Sequence, residues 1–230
     1  MAKDTLFQHN NGPQPFTFNE SVATVFDDMV TRSVPHYAQT LHQIAHLMPK
    51  NPYIYDLGCS LGALVGAVSQ QHAQFQYVGI DKSPHMIARA KRLESPQVRF
   101  YEGDICDFRI HDAPTVIVCH LVLQFIPTAD RTVAMQHYAN GLPQGGRLFI
   151  VEKVRQINAE LQAAYTHDYH AFKASNGYTP HEIQQKDRAL ANVLCPQTLP
   201  FYMNTLQDLG FQTVDIFFKW YNFVGIVAIK

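Results

Sequence analysis

The sequence predicts an α/β fold with a Rossmann-like parallel sheet, and three observations support this prediction. Beyond Pro52, short apolar runs alternate with helical patterns, which is typical of right-handed βαβ crossovers. The apolar run 53–57 leads into a turn of small residues, and a helical pattern follows that turn. The next apolar run closes on Asp81, where a doubly wound sheet places the acid that binds ribose hydroxyls.

The elements are predicted in order along the chain. Residues 10–17 contain two prolines and a glycine, so we expect an extended N-terminal arm. Helical patterns follow near 19–31 and 36–48. Strands are then expected near 53–57, 75–80, 98–102, 115–119 and 146–151, with helices near 61–71, 84–93 and 130–140. The dipeptide Ser83–Pro84 supports one of these helices, because serine is a good N-cap and proline suits the first helical position.

A helical insertion is expected to interrupt this alternation over residues 155–197, with a turn at Asn176–Gly177. A helix near 198–209 and two strands, near 211–219 and 223–229, then close the chain. A closing strand pair after five parallel strands resembles the seven-stranded class I methyltransferase sheet.

Length and composition predict one domain over residues 1–230, in which residues 1–50 form the arm and the first helices. The net charge is −1 and the pI is about 6.9, so the chain lacks the basic field that favours nucleic acid or anionic membranes. Its four cysteines show no C-x-x-C spacing, which favours reduced thiols over a disulfide or zinc framework. With no long apolar run and no apolar leader, the sequence predicts a cytoplasmic protein.

The glycine turn indicates which adenosine ligand the sheet binds. A dinucleotide fingerprint, G-x-G-x-x-G, needs a middle glycine to clear the pyrophosphate, whereas this chain has Ser60 in the middle and Ala63 at the end. No Walker lysine follows, which excludes a P-loop. An acid-rimmed turn without a phosphate loop fits S-adenosylmethionine (SAM), whose sulfonium is positive. A nicotinamide dinucleotide is the alternative.

Seven segments resemble one enzyme family over nearly the whole chain. They are residues 4–7, 26–37, 55–62, 80–87, 102–105, 123–125 and 176–178. The most specific are Arg-Ser-Val-Pro-x-Tyr at 32–37 and Asp-Leu-Gly-Cys-Ser-Leu-Gly at 56–62. On these residues the chain resembles carboxy-S-adenosyl-L-methionine synthase, a family with the class I methyltransferase fold.

The resemblance implies an activity. Such an enzyme is a homodimer that converts SAM and prephenate into carboxy-S-adenosyl-L-methionine and phenylpyruvate, and its product serves the modification of wobble uridine in tRNA. Prephenate loses CO2 and hydroxide as its ring aromatises, the sulfonium methyl loses a proton, and the resulting carbanion captures the CO2. This chemistry favours positioning and charge over a strong general base.

The resemblance also implies which residues lie under the ligand. Tyr37 is expected to contact the ligand and to take part in catalysis. Gly58, Cys59 and Ser60 would form the turn beneath its methionine portion. We expect Cys59 to pack there and not to act as a nucleophile, because no neighbour in sequence would lower its pKa.

The remaining expected contacts lie at the ends of the following strands. Asp81 and Lys82 would contact the ribose, and Asp104 and Ile105 would enclose the adenine. His120 stands just beyond the fourth strand, where the family usually has asparagine, and would offer a similar hydrogen bond.

One departure from the family lies in the insertion. The family arginine that grips the ligand's carboxylate follows a Gln-Lys pair, whereas here Asp187 follows that pair and Arg188 comes next. One residue along a helix rotates a side chain by about 100°. Either Arg188 reaches the site from a shifted register and serves catalysis, or the carboxylate clamp is absent. In the second case the chain would be an ordinary SAM-dependent methyltransferase of small molecules. A separate alternative is a non-catalytic protein that binds the nucleoside and scaffolds the tRNA-modifying enzyme.

Two other patterns have simpler interpretations. On a helix, His167 and His170 share a face but Asp168 does not, and no third ligand is evident, so no metal site is predicted. Asp56 closes the first strand beside the glycine turn, where an acid either contacts a ligand or caps the following loop.

Overall fold

The computed structural model of the chain describes residues 2–8, 15–110 and 112–230. Its α-helices are α1 (Glu20–Ser33), α2 (Tyr37–His46), α3 (Ala63–Gln71), α4 (Pro84–Ala90), α5 (Thr128–Gly141), α6 (Ala159–Ser175), α7 (Pro180–Leu190) and α8 (Leu199–Asp208). Its strands are β1 (Tyr53–Leu57), β2 (Gln76–Asp81), β3 (Val98–Glu102), β4 (Val116–His120), β5 (Arg147–Lys153), β6 (Thr213–Trp220) and β7 (Phe223–Ile229). None of the helices within these ranges has the length and apolar character needed to cross a bilayer.

The strands form one sheet in the order β3-β2-β1-β4-β5-β7-β6. The first five are parallel, and β7 pairs antiparallel with both β5 and β6. The chain order reverses between β1 and β4, and sheets of this kind bind ligands beyond the carboxyl ends of the strands at such a point. The predicted Rossmann-like, seven-stranded sheet with a closing antiparallel pair is therefore confirmed.

Helices cover both faces of the sheet, so its central strands are apolar on both sides. Strands β1 and β4 are buried at nearly every position, as expected for parallel strands between two helical layers. Met135 of α5 and Leu206 of α8 pack on one face, and Ile44 of α2 and Val68 of α3 pack on the other. This packing fixes the carboxyl ends of the central strands, where the candidate site lies.

The predicted elements match the structure, with small differences at their ends. Helix α2 begins one residue later than predicted, because His36 adopts a left-handed backbone with φ 57°. The helix expected to reach 93 ends at Ala90 and tightens into a 3-10 turn over Lys91–Leu93. Of the predicted arm, residues 10–14 lie outside the described residues, and residues 15–17 form no regular element.

The insertion consists of α6 and α7, joined at the predicted turn. A capping box starts α7: Thr179 Oγ1 accepts from Glu182 N (3.2 Å), and Glu182 Oε2 accepts from Thr179 N (2.7 Å). Arg32 of α1 donates through Nε to the carbonyl of Asn176 (2.8 Å). The insertion therefore packs against α1 beside the carboxyl edge of the sheet.

Asp4 anchors the start of the chain to α1 and to the insertion. Its side chain is 1% exposed, and Oδ2 accepts from Tyr178 Oη (2.5 Å) and lies 3.9 Å from Lys186 Nζ. Its backbone N–H donates to Asp28 Oδ2 (2.7 Å), and its carbonyl accepts from Arg32 Nη1 (3.3 Å). Asp4 thus joins three segments that are far apart in sequence, since its carboxylate contacts the insertion and its backbone contacts α1.

We expect Asp4→Ala to lower the free energy of unfolding by about 3 kcal/mol, because it leaves Lys186 and Tyr178 buried without their carboxylate. Asp27→Ala is the control, because Asp27 is exposed on α1, and it should change the free energy of unfolding by less than about 0.5 kcal/mol. Urea unfolding measures both values. If the two variants lost the same free energy of unfolding, the contacts of the Asp4 side chain would not stabilise the fold.

Candidate ligand-binding site

A cavity of about 500 Å³ lies at the carboxyl edge of the sheet, between the strand ends and helices α1, α6 and α7. Its volume is within the range of small-molecule sites. It is lined by all nine residues expected to bind the ligand, namely Tyr37, Gly58, Cys59, Ser60, Asp81, Lys82, Asp104, Ile105 and His120. The structure therefore brings these residues together, and their individual contacts with a ligand stay predictions.

The turn after β1 forms the floor of the cavity. The amides of Gly58 and Cys59 both donate to the carbonyl of Ile80, at 2.7 and 3.0 Å. Gly58 has φ 77°, and a Cβ atom added to it would lie 2.3 Å from Val122 Cγ2. A side chain at this position would therefore clash with the loop after β4, so the turn requires glycine.

Asp81, the last residue of β2, holds this turn and the start of α4. Its Oδ2 accepts from Ser60 N and its Oδ1 from Ser83 N, each at 2.9 Å. Burial raises the pKa of Asp81, while the two backbone donors oppose that shift. Each carboxylate oxygen retains a lone pair, so Asp81 can accept further hydrogen bonds from the cavity.

Asp56 brings a second carboxylate to the cavity wall. It is 4% exposed, and its Oδ2 accepts from Tyr77 Oη (2.5 Å). Burial raises the pKa of Asp56 to about 7, and Asp81 adds to the rise, while the hydrogen bond from Tyr77 opposes it. A cation bound in the cavity would favour the ionised form of Asp56.

His120 and Tyr37 form the cavity wall beyond β4, with their rings edge to face at 5.2 Å. Thr40 donates its single hydroxyl proton to the carbonyl of Tyr37 (2.8 Å), and its oxygen lies 2.9 Å from His120 Nε2. With the Thr40 hydroxyl donating to Tyr37, this arrangement favours the tautomer of His120 that carries its proton on Nε2 and has Nδ1 as an acceptor. Burial lowers the pKa of His120 to about 3, so the imidazole stays neutral.

The far end of the cavity combines apolar surface with exposed polar groups. Ile105 is buried, whereas Asp104 and Lys82 are exposed. Asp104 Oδ1 accepts from Cys106 N (2.9 Å), which fixes the carboxylate at the end of β3. Cys59 lies near this floor as a protonated thiol, because burial raises its pKa well above the usual value.

The opposite wall contains charged residues that the sequence analysis did not select. Lys153 ends β5, His170 and Lys173 lie on α6, and Lys186 and Asp187 lie on α7, and all five line the cavity. Asp187 accepts from Lys173 Nζ (2.9 Å) and lies 2.8 Å from His170 Nε2. One signal could have identified Lys153, namely its place at the carboxyl end of a parallel strand. The others become neighbours only when α6 and α7 pack together.

The position of Arg188 corrects one expectation. Arg188 is exposed on α7 and does not line the cavity, whereas Lys186 and Asp187 do. One step along the helix turns the Arg188 side chain by about 100°, away from the cavity of its own subunit. A shifted register therefore does not bring Arg188 into this site, and the position that faces the cavity carries an acid.

Comparisons with known proteins agree with this geometry. A model described as "Methyltransferase domain" matches residues 54–146. Proteins named carboxy-S-adenosyl-L-methionine synthase are 38% identical in Desulforapulum autotrophicum, over all of this chain and 98% of the relative, and 39% identical in Hydrogenovibrio crunogenus, over all of this chain and 96% of the relative. The Methylococcus capsulatus protein of the same name is 37% identical over the whole of both chains.

Solved structures show the same fold at low sequence identity. Human N-acetylserotonin methyltransferase in complex with SAM is 16% identical, with a TM-score of 0.63 over 92% of this chain and 55% of that one. Magnesium protoporphyrin IX methyltransferase from Synechocystis is 15% identical, with a TM-score of 0.61 over 95% of this chain and 90% of that one. These structures place the chain in the class I methyltransferase fold.

We expect Gly58→Ala to lower the free energy of unfolding by about 3 kcal/mol, because it adds a clash with Val122 to the cost of a positive φ. Gly145→Ala is the matched control: Gly145 also has φ 77°, but an added Cβ atom would meet nothing within 4 Å. That variant should lose only about 1 kcal/mol. Chemical unfolding compares the two, and calorimetry should show weaker SAM binding for Gly58→Ala alone.

Proposed function

The chain belongs to the carboxy-S-adenosyl-L-methionine synthase family, and from this membership we propose that it is an enzyme that carboxylates SAM. The observation that carries the proposal is 38% identity over the whole chain to a relative of that name. The acid-rimmed glycine turn, which opens on a cavity of about 500 Å³, supports it independently.

The cavity offers a matching wall to each portion of SAM. Asp81 can accept from the ribose hydroxyls, as the acid at the end of the second strand does in doubly wound sheets. Ile105 provides an apolar face for the adenine ring, and Asp104 can accept from its exocyclic amine. Asp56 and His120 Nδ1 are both acceptors, so they suit the positively charged methionine end.

The ionisation of the cavity residues favours positioning over proton abstraction by the protein. Bound SAM supplies a methyl group that its positive sulfur makes acidic. Burial raises the pKa values of Tyr37 and Cys59, so both keep their protons near neutral pH. His120 is neutral but weakly basic, because burial lowers its pKa to about 3. The chain's own part is therefore to exclude water and to hold the second substrate against the methyl group.

For the second substrate we propose prephenate, as the family resemblance implies. Prephenate carries two carboxylates, and the wall formed by α6, α7 and the end of β5 carries more cationic than anionic side chains. The resemblance further supports a homodimer in the cytoplasm, whose product is used by a separate enzyme that modifies wobble uridine in tRNA.

Asp187 favours a second candidate function, methyl transfer to a small molecule. The family arginine that grips the new carboxylate corresponds to this position, and Arg188 does not compensate for it within the same subunit. A site without that arginine would hold the carboxylated product less firmly and could still transfer a methyl group.

We expect purified protein, incubated with SAM and prephenate, to form a species heavier than SAM by one CO2, together with phenylpyruvate. Mass spectrometry of the small molecules measures both products, and omission of prephenate is the control. If SAM is instead converted to S-adenosylhomocysteine with a methylated acceptor, the second function is correct. The absence of the carboxylated species with pure prephenate would overturn the first.

The affinity for SAM should depend on pH through Asp56. Because burial raises the pKa of Asp56 to about 7, the free protein binds a proton there at lower pH, and a bound cation must displace it. The affinity should therefore rise as the pH increases towards about 7, by at most about tenfold per pH unit, and level off above it.

Calorimetry between about pH 5.5 and 8 tests this dependence against Asp56→Asn, which keeps an acceptor for Tyr77 but cannot ionise. The pKa of Asp81 is also raised, so the variant should retain a weaker dependence in the same direction. If the affinity of Asp56→Asn for SAM depends on pH as that of the wild type does, the positive charge of SAM does not lie against Asp56.

A further inference from the structure

The end of the cavity formed by α6, α7 and the tip of β5 is cationic. Three lysines line it, namely Lys153, Lys173 and Lys186. Two of them have a carboxylate: Lys173 Nζ lies 2.9 Å from Asp187, and Lys186 Nζ lies 3.9 Å from Asp4. The third, Lys153, has no carboxylate within 4 Å of its ammonium among the residues that the structure describes.

Lys153 is held in place by its backbone and by an aromatic ring. The backbone N–H of Lys153 donates to Gln124 Oε1 (3.2 Å), and Lys153 pairs with Phe223 of β7 in the sheet. Its ammonium lies 4.5 Å from the centre of the Tyr169 ring, and Lys173 Nζ lies at the same distance from that ring. Within residues 2–8, 15–110 and 112–230, no hydrogen bond or ion pair to a side chain or carbonyl holds this ammonium. Burial and the nearby Lys173 lower the pKa of Lys153 to about 8, while the more distant Asp187 opposes this shift. An anion bound against the ammonium would raise the pKa again.

The location of Lys153 separates it from the groups proposed to bind SAM. Strand β4 lies between β1 and β5, so Lys153 and Asp56 are two strand spacings apart across the sheet, about 10 Å. Asp56 is in register with Val118, and Val118 with Phe149, so Lys153 also lies farther along the strand direction than Asp56. His120, at the end of β4, lies between them and pairs in register with Val151 of β5. The ammonium therefore belongs to the part of the cavity beyond the methionine end, where a second substrate would lie.

From this geometry we infer that Lys153, with Lys173 beside it, is the binding group for a carboxylate of the second substrate. The inference rests on the proposed function for the identity of that substrate. It assigns the anion-binding role to the end of β5 and not to α7. Both ammonium groups lie 4.5 Å from the centre of the Tyr169 ring, and a carboxylate has two oxygens with which to accept hydrogen bonds from them.

The other charged groups at this end modulate the subsite. Asp187 and His170 both face the subsite, with 2.8 Å between Asp187 Oδ2 and His170 Nε2, and they form an ion pair when His170 is protonated. Lys186 Nζ donates to Ser33 Oγ (3.1 Å) and lies near Asp4. Asp187 therefore neutralises Lys173 in part and repels an incoming carboxylate. Removal of the Lys153 charge and removal of the Asp187 charge should then change anion affinity in opposite directions.

The test measures the binding of prephenate and of phenylpyruvate to SAM-loaded protein by calorimetry, in parallel with turnover. Lys153→Met should weaken carboxylate binding by about tenfold or more, because a charged hydrogen bond is lost, and the affinity for SAM should stay within about twofold. Lys153→Arg should retain binding, and Asp187→Asn should strengthen it. Lys219→Met, on the exposed face of β6, is the matched control and should behave as the wild type.

A pH series separates a charge contact from a purely structural role. Wild-type affinity for the carboxylate should fall above about pH 8, where Lys153 loses its proton. Lys153→Arg stays charged and should show a smaller fall, which remains because burial also lowers the pKa values of Lys173 and Lys186. The proposed subsite would be wrong if Lys153→Met bound the carboxylate as tightly as the wild type does. It would also be wrong if the wild type bound no carboxylate. Absence of the carboxylated product with intact carboxylate binding would overturn only the proposed reaction.

Discussion

The carboxylate of Asp81 is the contact on which the part of the cavity proposed to bind SAM depends. It accepts from Ser60 N in the glycine turn and from Ser83 N at the start of α4, so one side chain sets the relative positions of two backbone segments. Both hydrogen bonds need the end of β2 to lie beside the end of β1, which the parallel pairing of these strands provides. The turn, the helix start and the acid therefore form one unit, and the ligand surface is its outer side.

Charge is distributed along the cavity in a way that suits two different substrates. At the end formed by β1, β2 and β3, three carboxylates outnumber the single ammonium of Lys82, whereas at the end formed by β5, α6 and α7 three ammonium groups outnumber the single carboxylate of Asp187. In a partly buried site such charges act more strongly than they would in water. A cationic sulfonium ligand and an anionic partner would each be attracted to its own end, and their reacting groups would meet near His120.

Much of the fold could be predicted from the sequence, because its signals are local. Apolar runs of five or six residues, small-residue turns and the Ser83–Pro84 helix start each specify their own segment. The differences arose at helix ends, where a single backbone conformation decides the boundary, as at His36 with φ 57°. The nine expected binding residues also meet at one cavity, since strand ends in a parallel sheet share one edge.

By itself the sequence determined the parallel sheet, the acid-rimmed glycine turn and the kind of nucleoside ligand that such a turn suits, because these depend on neighbours in the chain. Only the tertiary structure decided which residues of the insertion line the cavity. It placed Asp187 in the cavity and Arg188 outside it, and within the described part of the chain it left the Lys153 ammonium with no carboxylate closer than 4 Å. The physical reason is that helix rotation and charge pairing in this wall depend on packing between distant segments, such as Tyr178 against Asp4, 174 residues apart.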